Sequence, residues 1–432
     1  MRIGEYLRYK IFWLLDRLKG GPLKSKLNYT EDILTSRDLS HVSQENEMRL
    51  KELLYHAISS TNYYKDKTFR SLEEFPIVNK NIIRDYLSNF VSDKFTRKNL
   101  FKVSTSGSTG APFSIYHSKN KIYKSIADNI FFSSKSNYQV GNHLVYIKIW
   151  NSKFDFMTRY GFIMKNIYAY SVFNLSDDEI DHLISHLNKN GNPISFIGYA
   201  SAFEKICHHL DDLESNPIKF KTKSLITISE ALNFYTKDAI QKYFGIRPLS
   251  RYSNNENGII AQQTKDSGSK FRVNDSSYVV EIFDLKKDKK LDYGQLGRIV
   301  ITDLFNKATP IIRYDTGDVG TLELNEDGRP YFSEIYGRKL DLLYDTKGKI
   351  VPSHLSAKLV KYGDFKQFQL VQKGLKDYEV NLNTDKKIDE EALIAEYRGY
   401  FGDDANIKIN YVDEIPLLAS GKRREVVNEY YA

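Results

Sequence analysis

The sequence predicts an α/β protein with a large N-terminal part and a small α+β part at the C-terminal end. Helical and strand-like patterns alternate from about residue 100 to residue 245, the helical pattern is absent between 277 and 336, and it returns after 340. Alternating patterns are typical of helices layered on a sheet, whereas successive strand patterns indicate a β-rich part. The 432 residues, of which 41% are hydrophobic, are enough to bury more than one core.

The first twenty residues, "MRIGEYLRYKIFWLLDRLKG", predict an amphipathic helix. They have neither a long uncharged core nor a small-residue cleavage site, which argues against a signal peptide and a membrane span. Packing on the protein itself is the favoured interpretation, and peripheral contact with a membrane is the alternative.

The remaining elements follow in order along the chain. Apolar spacing predicts helices at 48–61, 179–187, 203–210 and 236–245, and strands at 143–150, 194–199 and 224–229. The β-rich part has strand patterns at 277–284, 297–304, 309–315, 319–324 and 330–337. Strands at 365–373, 377–384 and 406–412, with a helix at 388–401, complete the chain. These patterns predict an N-terminal domain, 1–339, with a helical region at 1–95 and a β-rich part at about 277–336, and a C-terminal domain, 340–432.

Composition narrows the class of protein. A single cysteine, Cys207, excludes an internal disulfide framework, and no cysteine and histidine spacing matches a zinc site, so the reducing cytoplasm is the expected compartment. The net charge of +8 favours anionic partners such as nucleotides, CoA or anionic lipid. Nucleic acid is the least favoured partner, because the basic and aromatic residues form no binding module.

A loop rich in hydroxyl groups, "VSTSGSTGAPFS" at 103–114, is the first candidate site. Glycine permits close approach and backbone amides can form a nest for an anion, so a phosphate is a plausible guest. The loop lacks the Gly-Lys-Ser/Thr ending of a P-loop. Taken alone, the stretch is equally compatible with a polar surface turn.

Five motifs together resemble the adenylate-forming superfamily, in particular its phenylacetate-CoA ligase and CapK-like branch. They are "STSGSTGAP", "RYSNNENG" at 251–258, "IIRYDTGDVG" at 311–320, "GRKLDLL" at 337–343 and "SGKRREVV" at 420–427, and they occur in the family's order. The segments "LKELLYHAISSTNYYKDK" and "FPIVNKNIIRDYL" also resemble that branch. The resemblance implies the adenylate-forming fold with a mobile C-terminal domain.

The resemblance also implies a role for each motif residue. The phosphate loop, which would hold the β- and γ-phosphates of ATP, comprises Ser106, Gly107, Ser108, Thr109 and Gly110. Tyr252 would lie near adenine, Glu256 would bind Mg²⁺, and Asp318 would accept hydrogen bonds from both ribose hydroxyls. Arg338 would lie beside ribose and phosphate, Leu340 would stand at the hinge, and Lys422 would reach the acyl carboxylate and the α-phosphate. Phe113 stands where related loops often have lysine.

The implied function is ATP-dependent activation of a carboxylic acid, followed by transfer to CoA or an amine. Candidate substrate residues lie in or next to segments that line the family's acyl pocket: Tyr199, Ala200, Phe203, Glu230, Ala231 and Asn254. CapK-like relatives suggest a setting in surface polysaccharide synthesis, in the cytoplasm or at the inner face of the membrane. A non-catalytic nucleotide-binding or assembly protein is the alternative, although the lysine at 422 argues against it.

Overall fold

The computed structural model describes residues 2–65, 71–105, 113–150, 154–172, 175–189, 191–213, 217–339, 342–351, 365, 367–384, 388–416, 424 and 426–430. The predicted phosphate-loop residues, Ser106 to Gly110, lie outside these ranges, as do Leu340 and Lys422.

The N-terminal region is helical, as predicted. Its helices are α1 (Ile3–Leu18), α2 (Pro22–Thr35), α3 (Leu39–Ser60), α4 (Lys80–Asp85) and α5 (Leu87–Phe90), and two 3₁₀ turns follow α3 at Leu72–Glu74 and Arg97–Asn99. The carboxylate of Asp16 accepts the backbone N–H groups of Leu23 and Lys24 at 3.0 and 2.9 Å, which caps α2. The predicted helix at 48–61 corresponds to the second half of α3.

A hairpin and a long helix follow. Strands β1 (Leu100–Thr105) and β2 (Phe113–Ser118) are antiparallel, and they flank the serine-rich segment. Helix α6 (Lys119–Lys135) begins directly after β2, where the Ser118 hydroxyl accepts the Lys121 N–H.

Within the described residues, eleven strands form one mixed sheet. Its strands are β3 (Leu144–Lys148), β4 (Ile167–Ser171), β5 (Ile194–Tyr199), β6 (Thr222–Ile228), β7 (Leu249–Asn254), β8 (Gly258–Gln263), β9 (Phe271–Val273), β10 (Tyr278–Phe283), β11 (Leu296–Asp303), β12 (Tyr314–Leu324) and β13 (Pro330–Arg338). The strand order is β10-β11-β12-β13-β9-β8-β7-β6-β5-β3-β4.

The sheet has two halves of different character. Strands β4, β3, β5, β6 and β7 are parallel, whereas β8 to β13 pair in antiparallel fashion. Helices connect the parallel strands: α7 (Phe156–Lys165), α8 (Asp177–Asn188), α9 (Ala200–Asp212) and α10 (Phe234–Phe244). Because parallel strands require crossover connections, this half carries the alternating pattern, and the antiparallel half carries the β-rich pattern at 277–336.

One predicted strand is wrong. Residues 309–313 form a loop, and β12 begins only at Tyr314. Pro310 has no N–H to donate to a ladder, and Arg313 has a positive φ of 47°. Ile311 and Ile312 are nevertheless fully buried, so this apolar run reflects core packing and not strand pairing.

The C-terminal part is α+β, as predicted. It contains β14 (Leu343–Tyr344), β15 (Ile350–Val351), β16 (Gln367–Gln372), β17 (Asp377–Asn383), α11 (Glu390–Phe401), β18 (Asn406–Tyr411) and β19 (Val426–Asn428). The order β18-β17-β16-β19 forms a sheet against which α11 packs, with a hydrophobic core from Leu343 to Val426. Across the described ranges, every helix is too short or too polar to cross a bilayer.

Candidate active site

Two tyrosine–carboxylate hydrogen bonds join the motif residues. The Tyr252 hydroxyl donates to Asp318 Oδ2 at 2.8 Å, and the Tyr314 hydroxyl donates to Glu256 Oε1 at 2.7 Å. Tyr252 and Glu256 come from the segment at 251–258, whereas Tyr314 and Asp318 come from β12. The structure therefore brings together two motifs that lie about sixty residues apart in the chain.

The turn between β7 and β8 positions Glu256. Asn254 Oδ1 accepts the backbone N–H of Asn257 at 2.8 Å, and Gly258 closes the turn with a φ of 101°. The backbone oxygen of Glu256 lies 2.8 Å from His117 Nε2, so β2 fixes the turn from the other side. The carboxylate thus projects from a backbone that is held on two sides.

Strand geometry places the ribose-binding candidates. Tyr314 and Asp318 are four residues apart on β12, with a bulge between them at Gly317, and both side chains reach the segment at 251–258. Asp318 pairs in register with Arg338 on β13, which places the predicted ribose carboxylate next to the predicted ribose arginine.

Burial controls the electrostatics of the site. The Glu256 side chain is 1% exposed, and Lys80 Nζ lies 3.2 Å from its Oε1. Burial raises the pKa of the Asp318 carboxyl, an effect that the Tyr252 hydrogen bond and the charges of Lys80 and Arg338 oppose. Burial and the Glu256 charge raise the pKa of Tyr314 well above its ordinary value, so its hydroxyl remains a donor.

The two strands of the hairpin, β1 and β2, also contact the candidate site. Ser104 and Ser114 face each other across the hairpin, with their hydroxyl oxygens 2.8 Å apart. The Asn255 side-chain amide donates to the Ser104 carbonyl at 3.4 Å, and the Phe113 ring lies parallel to that of Tyr314 at a centroid distance of 6.5 Å. The roles of Ser106 to Gly110 remain predictions.

Lys80 is a site residue that the sequence analysis missed. It is the first residue of α4, and its ammonium lies 5.8 Å from the centre of the Phe113 ring as well as beside Glu256. The sequence contains only an indirect indication of Lys80. Phe113 stands where related loops often have a lysine, and in the structure Lys80 brings a cation close to Phe113 from α4.

The candidate substrate residues follow three neighbouring parallel strands. Tyr199 ends β5 and Ala200 follows it, Glu230 and Ala231 come after β6, and Asn254 ends β7. Ligands of open α/β sheets bind outside the carboxyl ends of the strands, which is where these residues lie. Glu230 Oε2 accepts the Ser201 N–H at 2.9 Å, at the start of α9.

Two of these side chains have structural partners. Phe203 is fully buried, with its ring centre 6.2 Å from those of both Phe196 and Phe244, so its position suits support of a pocket wall from behind. The Asn254 oxygen is engaged by Asn257 in the turn. Substrate contact by all six residues remains a prediction.

The site is compatible with a metal ion held mainly by a nucleotide. Glu256 Oε2 is buried and has no hydrogen-bond partner among the described residues. The described part of the chain contains no group of three histidine, cysteine or carboxylate side chains that could hold a metal without further ligands. One carboxylate with phosphate oxygens and water is a common arrangement for Mg²⁺, so Glu256 fits the predicted role.

Comparison with known proteins agrees with this geometry. A 2-hydroxyisobutyryl-CoA ligase, solved in its postadenylation state with 2-HIB-AMP, superposes with a TM-score of 0.70 over 90% of each chain, at 17% identity. The same ligase has been solved in an open conformation with 2-HIB-AMP and CoA, at a TM-score of 0.62. The amide bond synthetase McbA from Marinactinospora thermotolerans gives 0.53, at 17% identity, over 76% of this chain and 67% of that one. The chain therefore has the fold of the adenylate-forming ligases, as predicted.

The C-terminal part also matches a family by sequence. The family model described as the CapK C-terminal domain matches residues 342–429. The protein CapK of Staphylococcus aureus is 22% identical over 430 residues, which cover 93% of this chain and 92% of that protein. The predicted resemblance to adenylate-forming ligases and to their CapK-like branch is confirmed, whereas the domain boundary at 340 stays a prediction.

Proposed function

We propose that the protein is an AMP-forming ligase that activates a carboxylic acid with ATP. The observation that supports this most directly is the convergence of the Tyr252–Asp318 and Tyr314–Glu256 pairs beside the base of the serine-rich hairpin. A ribose-binding carboxylate, a buried carboxylate suited to Mg²⁺ and a phosphate-binding loop are the parts that this reaction requires.

In the proposed reaction a carboxylate oxygen of the acid attacks the α-phosphorus of ATP. The bond between the α-phosphorus and the bridging oxygen breaks, and the products are an acyl-adenylate and pyrophosphate. Negative charge accumulates on the transferred phosphorus group and on the leaving pyrophosphate, and donors already in position stabilise it. Ser106 to Gly110 would supply such donors, and Mg²⁺ held by Glu256 would neutralise part of the phosphate charge when bound.

Lys80 would contribute a second cation. Its side chain is 45% exposed, so the ammonium could turn from Glu256 towards an incoming phosphate. Because Glu256 is buried, this exchange would require Mg²⁺ to replace the ammonium beside the carboxylate.

We propose that the C-terminal domain, 340–432, supplies the catalytic lysine. Lys422 would approach the acyl carboxylate and the α-phosphate during adenylation, and rotation about Leu340 would then withdraw it. Domain motions of this kind commonly gate turnover. Withdrawal would open a path for the acceptor.

The acceptor in the second step would be CoA or an amine. The 2-hydroxyisobutyryl-CoA ligase has been solved with CoA, and McbA is an amide bond synthetase, so both classes occur among proteins of this fold. The similarity to CapK supports a setting in surface or capsular polysaccharide synthesis. We place the reaction in the cytoplasm, where ATP is available and where the free, buried thiol of Cys207 would stay reduced.

ATP–pyrophosphate exchange over a panel of carboxylic acids tests the proposal, followed by AMP release with CoA and with amines. We expect exchange with at least one acid, and we expect Lys422→Ala and Glu256→Gln to abolish it. Lys408→Ala removes an exposed lysine from the C-terminal part and should leave exchange unchanged. ATP binding without exchange on a broad panel would favour the non-catalytic nucleotide-binding alternative.

A further inference from the structure

Helix α1 presents its apolar side to solvent. Its outward side chains follow a helical repeat, and their exposed fractions are Ile3 82%, Leu7 53%, Ile11 39%, Leu14 54%, Leu15 45% and Leu18 75%. An amphipathic helix of a globular protein normally turns such a stripe towards the core. Large exposed apolar patches mark sites of interaction, so this orientation requires an explanation.

The opposite side of α1 docks on the protein. Glu5 Oε1 accepts the His143 N–H at 3.3 Å, and Asp16 caps α2. Phe12 and Trp13 pack against a hydrophobic core cluster. Gly141 approaches the α1 backbone so closely that a Cβ there would lie 2.6 Å from the Glu5 carbonyl oxygen. The helix is therefore fixed in place without using its leucine stripe.

Helix α7 extends the apolar surface. Its exposed side chains are Phe156 79%, Met157 73%, Tyr160 51% and Ile163 66%. Arg8 Nε donates to the Ile163 carbonyl at 3.4 Å, which connects the two helices. On its inner side, the Phe162 ring lies 5.6 Å from Trp150 and 5.0 Å from Phe154, between ring centres. We call these ten outward residues of α1 and α7 the α1–α7 surface.

The exposed charges in and next to α1 and α7 are almost all positive. In α1, α7 and the residues next to them, the exposed cations are Arg2, Lys10, Arg17, Lys19, Arg159 and Lys165. Asp155 is the one exposed acidic residue in the same segments, because Glu5 and Asp16 are turned inwards. A second copy of the chain would bring like charges together across a symmetric interface, which opposes dimerisation through this surface.

We propose that the α1–α7 surface binds an anionic lipid bilayer. Apolar side chains that enter the acyl boundary, with lysine and arginine at the headgroup level, are the features of an interfacial helix. The 16 residues of α1 give it a length of about 24 Å, enough to lie along the interface. The protein would thus work at the membrane face, independently of how its active site operates.

Flotation of the full chain with lipid vesicles tests this proposal. We expect binding to vesicles of phosphatidylcholine with phosphatidylglycerol, weaker binding to phosphatidylcholine alone, and loss of binding as the salt concentration rises. The double substitution Leu7→Glu and Leu14→Glu should reduce the vesicle partition constant at least about tenfold. Phe156→Glu should weaken binding to a smaller degree.

Tyr55→Glu is the matched control, because Tyr55 is 73% exposed on α3 and does not belong to the α1–α7 surface. All variants change exposed side chains, and unaltered thermal unfolding would show that they fold. The proposal is overturned if the wild type does not bind anionic vesicles, or if the double variant binds as well as Tyr55→Glu.

Self-association is the alternative outcome. Sedimentation velocity would assign the surface to self-association if the wild type is a dimer, the double substitution dissociates it, and neither protein binds vesicles. ATP–pyrophosphate exchange measured without vesicles should be unchanged in the double variant, so failure here is distinct from failure of the proposed activity.

Discussion

The substitution Tyr314→Phe removes one oxygen atom from the centre of the proposed site. Tyr314 is fully buried, and its hydroxyl donates at 2.7 Å to Glu256, which is 1% exposed. The aromatic ring would remain parallel to Phe113, so the change creates almost no cavity. Its effect should therefore report the hydrogen bond.

A hydrogen bond to an ionised group contributes about 1.5–3 kcal/mol, and a neutral one about 0.5–1.5 kcal/mol. The Lys80 ammonium already lies 3.2 Å from the same Oε1, so it does not replace the lost hydroxyl. We expect the free energy of unfolding to fall by about 1.5–3 kcal/mol. Both tryptophans, Trp13 and Trp150, lie in the N-terminal part, so urea unfolding followed by tryptophan fluorescence reports the part that contains Tyr314. The variant should also need more Mg²⁺ for exchange, because Glu256 would be less firmly oriented.

Tyr64→Phe is the matched control. Tyr64 is also fully buried in the N-terminal part, and among the described residues its hydroxyl has no carboxylate partner. Its loss should cost less than about 1 kcal/mol. Equal destabilisation by the two substitutions would refute the conclusion that Tyr314 stabilises a buried, charged Glu256.

Three further predictions concern single residues. Because burial raises the pKa of the Asp318 carboxyl, ATP affinity should fall as the pH drops through that raised pKa; calorimetry should find this step at a pH above the ordinary 3.8, and absent in Asp318→Asn. Because the folded protein holds the Asp318 proton more tightly than the unfolded chain does, the wild type should lose folding stability relative to Asp318→Asn as the pH rises through that pKa. Lys80→Ala should raise the KM for ATP several-fold and also lower the unfolding free energy, because it removes a cation beside the buried Glu256 carboxylate, whereas Lys80→Arg should restore much of both; an unchanged KM in Lys80→Ala would remove Lys80 from the site. Gly141→Ala should lower the melting temperature for two reasons: Gly141 has a φ of 94°, and the added Cβ would push α1 away. An unchanged melting temperature would contradict the close approach of Gly141 to α1.

Elements and motifs that are contiguous in sequence were predictable, whereas contacts between residues far apart in the chain were not. The strands β5 and β6 are apolar on both faces and bounded by polar turns, so their bounds were close to those predicted. Asp318 and Glu256 could be proposed as site residues because each lies in a motif that is contiguous in sequence. Lys80 pairs with a residue 176 positions away, which no local spacing can reveal.

The periodicity of apolar residues also leaves the orientation of a helix undetermined. The spacing of the α1 leucines predicts a helix with one apolar face, which is correct, but periodicity does not say which face meets the protein. Here, Glu5, Asp16 and the close contact at Gly141 determine the docked side. Similarly, the apolar run at 309–315 indicated burial correctly and strand pairing incorrectly, because core loops and strands share the same composition.

Strand β12 has a bulge between Tyr314 and Asp318, and this bulge has a consequence for substitutions, insertions and deletions. In the bulge, Gly317 has a φ of 80° and the Asp315 carboxylate pairs with Arg298 at 2.7 Å. One residue added or removed there would displace one of the two site residues from its partner. The metal side and the sugar side of the proposed nucleotide site would then no longer coexist. In a deep mutational scan, positions 315–317 should therefore tolerate few substitutions, fewest at the glycine, and no change in length.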